Sequence, residues 1–443
     1  MFSTVEIIGC INTVVSLLYC YYCLLRIRKS KKIQLSPVSS IFIVISNGLA
    51  IPFIQYANPE YKLPYGDDLT ITSFISMMIF IIISFGFQII SDKFNKTKKN
   101  NQFQKYEKRK SIFYFYFVFI LVIFGFFRFV FLSGGISFLG VILANLNSSS
   151  AYYSSRLETG SLIGSTTGMG LAFMANSFLI PSLLAAIVYL KKTTSLKESL
   201  ADWGFIIVLM TLNIVLSAIF AKRLTLLISF FLPLAILYIN KNKKNYENIT
   251  NKNSKMSLFK SFNKNFSTLF FVVLLLGLAI GIFSITSGDS FALSFLSLLD
   301  RIFIIPCGTS NYYYEIFPAR IPFQGIQNIL DLPSDISYSD IAKLSTGDSF
   351  TANACFLAIA YSGAGFFGIA AISIIYSVLV TFHDWWLNRV DKLLGMIVLA
   401  VNIYGVSALA NVPLLPAIVS YGFLSSTLVI SLMIKRSTFL KIF

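Results

Sequence analysis

Long apolar stretches separated by short polar segments run along the whole chain. A helix of about 20 apolar residues crosses the hydrocarbon core of a bilayer. The pattern therefore predicts an all-α polytopic membrane protein, with residues 1-443 forming a single integral membrane domain. The eleven predicted transmembrane helices are 7-25, 36-55, 70-90, 112-132, 163-190, 203-221, 224-240, 267-286, 353-382, 394-411 and 413-434.

The polar segments between these spans fall into two kinds. The segments 91-111 and 240-266 are rich in Lys, Asn and Ser, which predicts basic cytoplasmic loops close to anionic lipid headgroups. The segments 133-162 and 287-352 are expected on the outer side, and 287-352 is a large loop between spans 8 and 9. Loops of this length are usually functional, so the chemistry is expected there.

Composition and charge agree with a membrane protein. The chain is 56% apolar and only 12% charged, with a mean hydropathy of +0.75, which excludes a water-soluble globule. With the N-terminus outside and the C-terminus inside, 28 of the 36 Lys and Arg residues lie on the cytoplasmic side. The net charge of +17 then reflects topology, and no nucleic-acid partner is expected.

The remaining cations include several at the predicted outer ends of spans or in the outer loops. Arginine grips phosphate through a planar, bidentate fork, so these residues are candidates for binding a lipid-linked pyrophosphate. The alternative is that each pairs with a nearby carboxylate, as Arg156 can with Glu158 and Arg301 with Asp300. The candidate pyrophosphate-binding residues are Arg128, Arg156, Lys222, Arg223, Arg301 and Arg320.

The outer loops also carry aromatic, amide and acidic residues suited to sugar chemistry. Aromatic faces stack on sugar rings and amides bind hydroxyls, although interfacial anchoring explains outer tyrosines equally well. The candidate sugar-binding residues are Tyr312, Tyr313, Tyr314, Gln324 and Gln327. Glycosyl transfer also needs a base for the acceptor hydroxyl. The candidate bases, among which spacing does not choose, are Glu158, Glu315, Asp300 and Asp348.

Other chemistries are disfavoured by the residues present. The single histidine, His383, lies beside two tryptophans at a predicted cytoplasmic helix end, so an outer histidine-centred triad or metal site is not expected. No Walker A pattern occurs, and neither a metal nor another cofactor is predicted. Cys307 and Cys355 are both predicted outside and can form a disulfide, but sequence alone leaves their pairing open.

The layout resembles that of the Wzy-type bacterial oligosaccharide repeat-unit polymerases, which make O-antigen or capsule. The resemblance rests on AKRLTLLISFFLPLAILYI, on the arginine and glycines of RLETGSLIGSTTGMG at 156-170, and on the aromatic, proline and arginine run NYYYEIFPARIPFQG before a glycine-rich span. The glycines of 156-170 also fit plain helix packing. In this resemblance Arg156 and Arg320 occupy the two outer loops where the family carries an arginine.

The resemblance implies a GT-C-like glycosyltransferase of the bacterial inner membrane. Such enzymes polymerise undecaprenyl-pyrophosphate-linked repeat units on the periplasmic face, without nucleotide or metal. It also implies membrane lipids, a chain-length regulator of the Wzz type and a flippase as partners. Two alternatives stay open, namely an O-antigen ligase-like glycosyltransferase, which usually relies on a periplasmic histidine, and a lipid-linked oligosaccharide flippase or other transporter.

Overall fold

The computed structural model describes residues 4–29, 34–56, 63–97, 112–132, 169–193, 200–219, 296, 299–330, 336, 338–347, 354–388, 390 and 392–434. All regular structure in these ranges is helical, which confirms the predicted all-α class for this part of the chain. Five helical segments are long and apolar enough to cross a membrane. They are Glu6–Arg28, Leu35–Ile54, Asp67–Lys93, Gly170–Ile187 and Phe356–Leu387.

Four shorter apolar helices coincide with further predicted spans: Phe113–Phe129, Gly204–Ser217, Leu394–Ala408 and Ser425–Ile434. The predicted spans 224-240 and 267-286 lie outside the described residues. The number of spans therefore stays a prediction.

The chain divides into two compact units. The first unit comprises Met1–Tyr106 and Leu299–Ser425, and the second comprises Glu107–Leu298 and Ser426–Phe443. The first contains the helices α1 (Thr4–Lys29), α2 (Leu35–Asn47) and α3 (Asp67–Thr97). The second unit contains the helices α4 (Ile112–Leu132), α5 (Met169–Met174), α6 (Ile180–Thr193) and α7 (Leu200–Ile219). A π turn, Ala175–Leu179, joins α5 to α6.

The rest of the first unit follows Leu299. A π turn, Asp300–Ile304, leads into α8 (Ile305–Ile316), and two short helices follow, α9 (Ile326–Leu330) and α10 (Tyr338–Thr346). The chain continues with α11 (Phe356–Leu387), α12 (Lys392–Ala408) and α13 (Leu414–Val419). Finally, α14 (Ser425–Ile434) starts at the last residue of the first unit and continues in the second. The segment 287-352, expected as a loop, is thus largely helical where it is described.

An apolar stripe on α1 faces away from the rest of the first unit. Ile7, Ile11, Val14, Leu18 and Tyr21 recur every three or four residues and are all about half exposed or more. A helix that leaves such a stripe uncovered is suited to contact with lipid tails. The opposite face carries Asn12, Ser16, Cys23 and Arg26, which are buried against α2 and α3.

Helix α11 folds back on itself. Ala364 and Gly365 leave the helical conformation, and Gly365 has φ 60° and ψ −141°, a combination open to glycine alone. Twenty residues of straight helix rise about 30 Å, yet the rings of Phe356 and Tyr376 lie 5.5 Å apart. Residues 356-363 therefore form a half-helix that runs back along the start of the longer half.

The predicted last span, 413-434, differs from the structure. It consists of α13 and α14, which are separated by a turn in which Gly422 has φ 82° and Leu424 has φ 66°. The Leu424 amide donates to Asn402 Oδ1 at 2.8 Å, which anchors the turn on α12. A hydropathy window averages over such a turn, so the break was not predicted.

Candidate functional site

Arg320 lies on a tight turn at the end of α8. The amides of Arg320 and Ile321 both donate to the Ile316 carbonyl, at 2.8 and 3.2 Å, so the chain reverses directly after the helix. The neighbouring Phe317 ring is fully buried and fixes the turn in the core. The guanidinium is thereby presented at the surface, with 48% of the side chain exposed.

Glu315 and α10 hold this guanidinium in place. Arg320 Nη2 donates to Glu315 Oε1 at 2.6 Å, and Nη1 donates to the Leu344 carbonyl. The second oxygen of Glu315 accepts from the Ser345 hydroxyl at 2.5 Å. Because both oxygens of Glu315 are engaged, its geometry suits positioning of Arg320 better than the predicted role of base. The guanidinium has five N–H donors, and the two described bonds leave the others for an anion.

A cluster of aromatic rings, which we call the aromatic cluster, includes residues close in sequence to this ion pair, since Tyr314 precedes Glu315 and Phe323 follows Arg320 by three positions. It consists of Tyr314, Phe323, Tyr361 and Phe366. The Tyr361 ring meets Tyr314 at 5.0 Å, Phe323 at 5.8 Å and Phe366 at 5.5 Å, all close to edge-to-face. Phe323 and Phe366 are exposed, whereas Tyr361 is buried. The cluster thus offers exposed apolar ring surface, part of it on the same turn of chain as Arg320.

The candidate sugar-binding tyrosines do not all have the role expected of them. Tyr312 and Tyr313 point into the core and are fully buried, so their rings offer no face to a sugar. The prediction for these two is corrected, because a helix places consecutive residues on adjacent faces and both faces are covered here. Burial also raises the pKa of Tyr312 to about 12 and that of Tyr314 well above its ordinary value.

The two glutamines lie on the segment that crosses the bend of α11. The backbone N–H of Gln324 donates to the Ser362 carbonyl at 2.9 Å, and the backbone N–H of Gly325 donates to the Gly363 carbonyl at 2.8 Å. A Cβ at Gly363 would come within 2.6 Å of the Gly325 carbonyl, so only glycine permits this approach. The side chain of Gln324 bonds to the Pro322 carbonyl, and Gln327 is exposed.

Asp300 is separated from Arg320 by the length of a helix. The two acidic residues Asp300 and Glu315 begin and end one continuous helical segment, which places them about 20 Å apart. Burial raises the pKa of Asp300, as suits a proton acceptor. Even so, the structure does not bring this carboxylate to the guanidinium of Arg320.

Several candidates cannot be placed in this site. Arg128 is a half-buried residue near the end of α4, in the second unit. Arg301 belongs to the π turn before α8, and its side chain lies outside the described part of the structure. The candidates Glu158, Asp348, Arg156, Lys222 and Arg223 lie outside the described residues.

Cys307 and Cys355 are both free thiols in the structure. They line one small cavity of about 10 Å³, and burial raises the pKa of Cys355 to about 12 and that of Cys307 still further. Within the described ranges, no group of three or more His, Cys, Asp or Glu residues could hold a metal ion.

A buried ionic network, missed in the sequence, lies at the other end of the first unit. Arg26 is only 6% exposed and pairs with Asp92 at 2.9 Å. It also donates to the Ser36 hydroxyl at 3.0 Å, and Ser36 in turn donates to the fully buried Asp384. Arg26 was counted only among the basic residues that indicate orientation in the membrane, so its place in a buried ionic network was not predicted. The usable signal was Asp384, a carboxylate within an apolar helix.

Comparison with known proteins adds no relative to this picture. No family model, curated protein or solved structure matches the chain. The family resemblance noted in the sequence therefore stays a prediction, and functional inference rests on the geometry described above.

Proposed function

We propose that the chain is a membrane glycosyltransferase that polymerises undecaprenyl-pyrophosphate-linked oligosaccharide repeat units on the periplasmic face of the bacterial inner membrane. The observation that carries this proposal is the guanidinium of Arg320, which is fixed by Glu315 and α10, half exposed, and close in sequence to Phe323 of the aromatic cluster. A cation beside exposed ring faces suits a ligand in which a sugar is joined to pyrophosphate.

In this mechanism Arg320 binds the pyrophosphate of the donor. Phe323 and Phe366 contact the adjoining sugars, and Glu315 keeps the guanidinium fork in position. The hydroxyl of the newest lipid-linked unit attacks the anomeric carbon of the growing glycan, and the bond from that carbon to the pyrophosphate oxygen breaks. The lipid pyrophosphate leaves with the electron pair, stabilised by Arg320, and the hydroxyl proton passes to a carboxylate.

The base in this mechanism is one of the candidate carboxylates that do not already have another role. Glu315 is engaged by Arg320 and Ser345, and Asp300 lies about a helix length away. The proposal therefore favours Glu158 or Asp348, which lie in the sequence segments 133-162 and 287-352, respectively. A chain-length regulator of the Wzz type and a flippase are the proposed protein partners.

Transport of a lipid-linked oligosaccharide is a second candidate function, favoured by one observation. Discontinuous helices line substrate and ion sites in many transporters. In the first unit α2 is interrupted after Asn47 and α11 bends at Gly365, and both interruptions lie among buried residues. A cation fixed by Glu315 together with exposed aromatic rings suits a sugar joined to pyrophosphate, and for this reason polymerisation is preferred. The ligase-like alternative gains no support from the described residues.

The test is reconstitution of the purified protein in liposomes that contain a lipid-pyrophosphate-linked repeat unit from its own organism. We expect a ladder of polymer on a gel without added nucleotide. Arg320→Ala should reduce polymer at least about 100-fold, and Arg320→Lys, which keeps the charge but loses the fork, should restore part of it. Lys343→Ala removes a nearby exposed cation on α10 and should leave the ladder unchanged.

Two results would overturn the proposal. One is a wild-type ladder from Arg320→Ala. The other is unchanged substrate from folded wild-type protein, with the substrate oriented toward the catalytic face. If a fluorescent analogue of the lipid-linked unit then crossed between leaflets, the transport function would replace polymerisation.

A further inference from the structure

Sulfur-bearing side chains from three separate segments line the small cavity of the first unit. Met77 lies on α3, Cys307 on α8, and Cys355 directly before α11. All three side chains are at most 2% exposed. We call these three residues the sulfur cluster. Because they are far apart along the chain, no spacing motif reveals the cluster, and the sequence predicted no metal.

The two thiols are placed at the cavity and close to each other. Cys307 Sγ donates to the Asn47 carbonyl at 3.2 Å, and Asn47 belongs to the same cavity wall. Burial raises the pKa of Cys307, and the nearby Cys355 thiolate raises it further. The Tyr314 hydroxyl, also on this wall, is within electrostatic reach of both sulfurs. One small ligand in the cavity therefore has both thiols as neighbours.

Cys355 is the sulfur better suited to carry a negative charge. It precedes the half-helix 356-363 at the N-cap position. Burial raises the pKa of Cys355 to about 12, whereas the backbone N–H groups of Phe356 and Leu357 act in the opposite direction and favour the thiolate. Both thiols are thus protonated at neutral pH in the empty site, and a metal ion that binds there must displace a proton.

The hydroxyls of the cavity wall already have acceptors for their protons. Ser73 donates to Asn311 Oδ1 at 2.8 Å. Ser76 and Ser310 donate to backbone carbonyls of their own helices, at 2.7 and 2.9 Å. A water molecule in the cavity would therefore receive no hydrogen bond from these three serines. A metal ion needs only lone pairs, which the sulfur atoms supply.

The donor set points to a soft, monovalent metal ion. Thiolate and thioether ligands select Cu(I), and Ag(I) shares this preference. Zinc sites take four ligands from cysteine, histidine and carboxylates, and this cavity is lined by only two such residues. Ca²⁺ and Mg²⁺ require carboxylate oxygens, which the lining lacks. The cavity volume of about 10 Å³ admits one water-sized sphere, and a Cu(I) ion is smaller than that.

We propose that the sulfur cluster binds one Cu(I) ion, with Cys355 as a thiolate ligand and the Cys307 thiol and the Met77 thioether as neutral ligands. On binding, the S–H bond of Cys355 breaks, a sulfur–copper bond forms, and the proton passes to solvent. Copper stays Cu(I), so no electron is transferred. The single positive charge and the single thiolate cancel, as suits a buried place. This inference goes beyond the proposed glycosyl transfer and does not depend on it.

The test measures metal binding by full-length protein in detergent. The protein is incubated overnight without oxygen, so that a buried site can fill through local opening, with Cu(I) kept reduced by ascorbate. Ag(I) in chloride-free buffer is the redox-inert analogue. After gel filtration, mass spectrometry counts the bound metal per chain, and competition with the Cu(I) chelator bicinchoninate gives the dissociation constant.

Serine variants of the two cysteines are decisive and compatible with folding. A serine hydroxyl at position 307 can still donate to the Asn47 carbonyl, and serine is a favoured N-cap residue at position 355. Cys307→Ser, Cys355→Ser and the double variant should each bind one metal equivalent fewer than wild type. Met77→Leu keeps the side-chain volume and should weaken Cu(I) binding at least about tenfold.

The matched control is the triple variant Cys10→Ser/Cys20→Ser/Cys23→Ser, which removes the three thiols of α1 and keeps both thiols of the sulfur cluster. It should bind one equivalent. X-ray absorption at the copper edge of this protein should show sulfur neighbours.

Four results would overturn the proposal. Wild-type stoichiometry in either single cysteine variant would show that the ion binds elsewhere. Loss of two equivalents in the double variant would mean that the two thiols bind separate ions. Unchanged affinity in Met77→Leu would exclude the three-sulfur site. Copper neighbours that are all oxygen or nitrogen in the triple variant would exclude the sulfur ligands.

Discussion

Removal of the Asp384 carboxylate should destabilise the first unit strongly. Asp384, on α11, accepts hydrogen bonds from the amides of Leu35 and Ser36, at 2.5 and 3.3 Å, and from the Ser36 hydroxyl. The residue before α2, Gln34, makes no side-chain capping bond. A carboxylate from a distant part of the chain therefore caps the N-terminus of α2.

The magnitude follows from what the substitution leaves behind. In Asp384→Ala two amides and a hydroxyl lose their charged acceptor in a fully buried place, and Arg26 loses the anion beyond Ser36. A bond to a charged group contributes about 1.5–3 kcal/mol, and breaking a buried ionic network costs about 3–5 kcal/mol in total. We expect a loss in that range for Asp384→Ala. Asp384→Asn keeps one acceptor oxygen and should lose about half as much.

The assay is equilibrium unfolding in detergent micelles, followed by tryptophan fluorescence. Trp385 and Trp386 adjoin the substituted residue and report on its surroundings. Asp67→Asn is the matched control, because Asp67 is an exposed carboxylate in the first turn of α3, and it should change the unfolding free energy by less than about 0.5 kcal/mol. A loss below about 1 kcal/mol for Asp384→Ala would refute the capping argument.

Three further predictions concern other parts of the chain. Gly405→Ala should lower the melting temperature sharply, because its Cβ would lie 2.3 Å from the backbone nitrogen of Phe423, whereas Gly204→Ala has open space and should be neutral or stabilising; equal melting temperatures would contradict this. Cys307 and Cys355 should resist maleimide at neutral pH until the protein unfolds, because burial disfavours both thiolates and hides both sulfurs. Labelling of folded Cys10→Ser protein, followed by peptide mapping, checks this. Modification of either residue without unfolding would be evidence against it. Asp300→Asn should flatten part of the acid pH dependence of stability, because burial raises the pKa of Asp300 above its unfolded value. The contribution of the wild-type carboxyl group to stability is therefore complete below the unfolded pKa and is lost as pH rises through the folded pKa. Melting temperatures of both proteins across the acid range test this, and parallel curves would show that the pKa shift of Asp300 is absent.

Hydropathy was a good guide to helices that pass straight through the first unit. The predicted spans 7-25 and 70-90 lie within α1 and α3, because a helix buried in lipid needs little more than apolar length. It failed where one apolar run contains two structures. The span 353-382 includes the half-helix 356-363, since a hydropathy average does not register the bend at Gly365.

The site was predicted in part. Arg320 was predicted to bind an anion because a cation expected on the outer side runs against the usual charge bias. The structure shows its side chain exposed and held by Glu315. Pairing was the stated alternative for each arginine, and Arg320 is both paired and available. The burial of Tyr312 and Tyr313 was not predictable, because it depends on tertiary packing around α8. The part played by Arg26 was missed, since charge counting assigns a residue to a side and not to a partner.

The discontinuous sequence of the first unit has a consequence for biogenesis. Its two parts, Met1–Tyr106 and Leu299–Ser425, are separated by 192 residues that belong to the second unit. During synthesis, α1 to α3 enter the membrane long before α8 and α11 exist to cover Ser73, Ser84 and Ser36. Until α8 and α11 are made, the polar faces of α1 to α3 lie in lipid or against an insertion factor. A nascent chain that ends before Leu299 therefore lacks the partners of these three serines on α8 and α11.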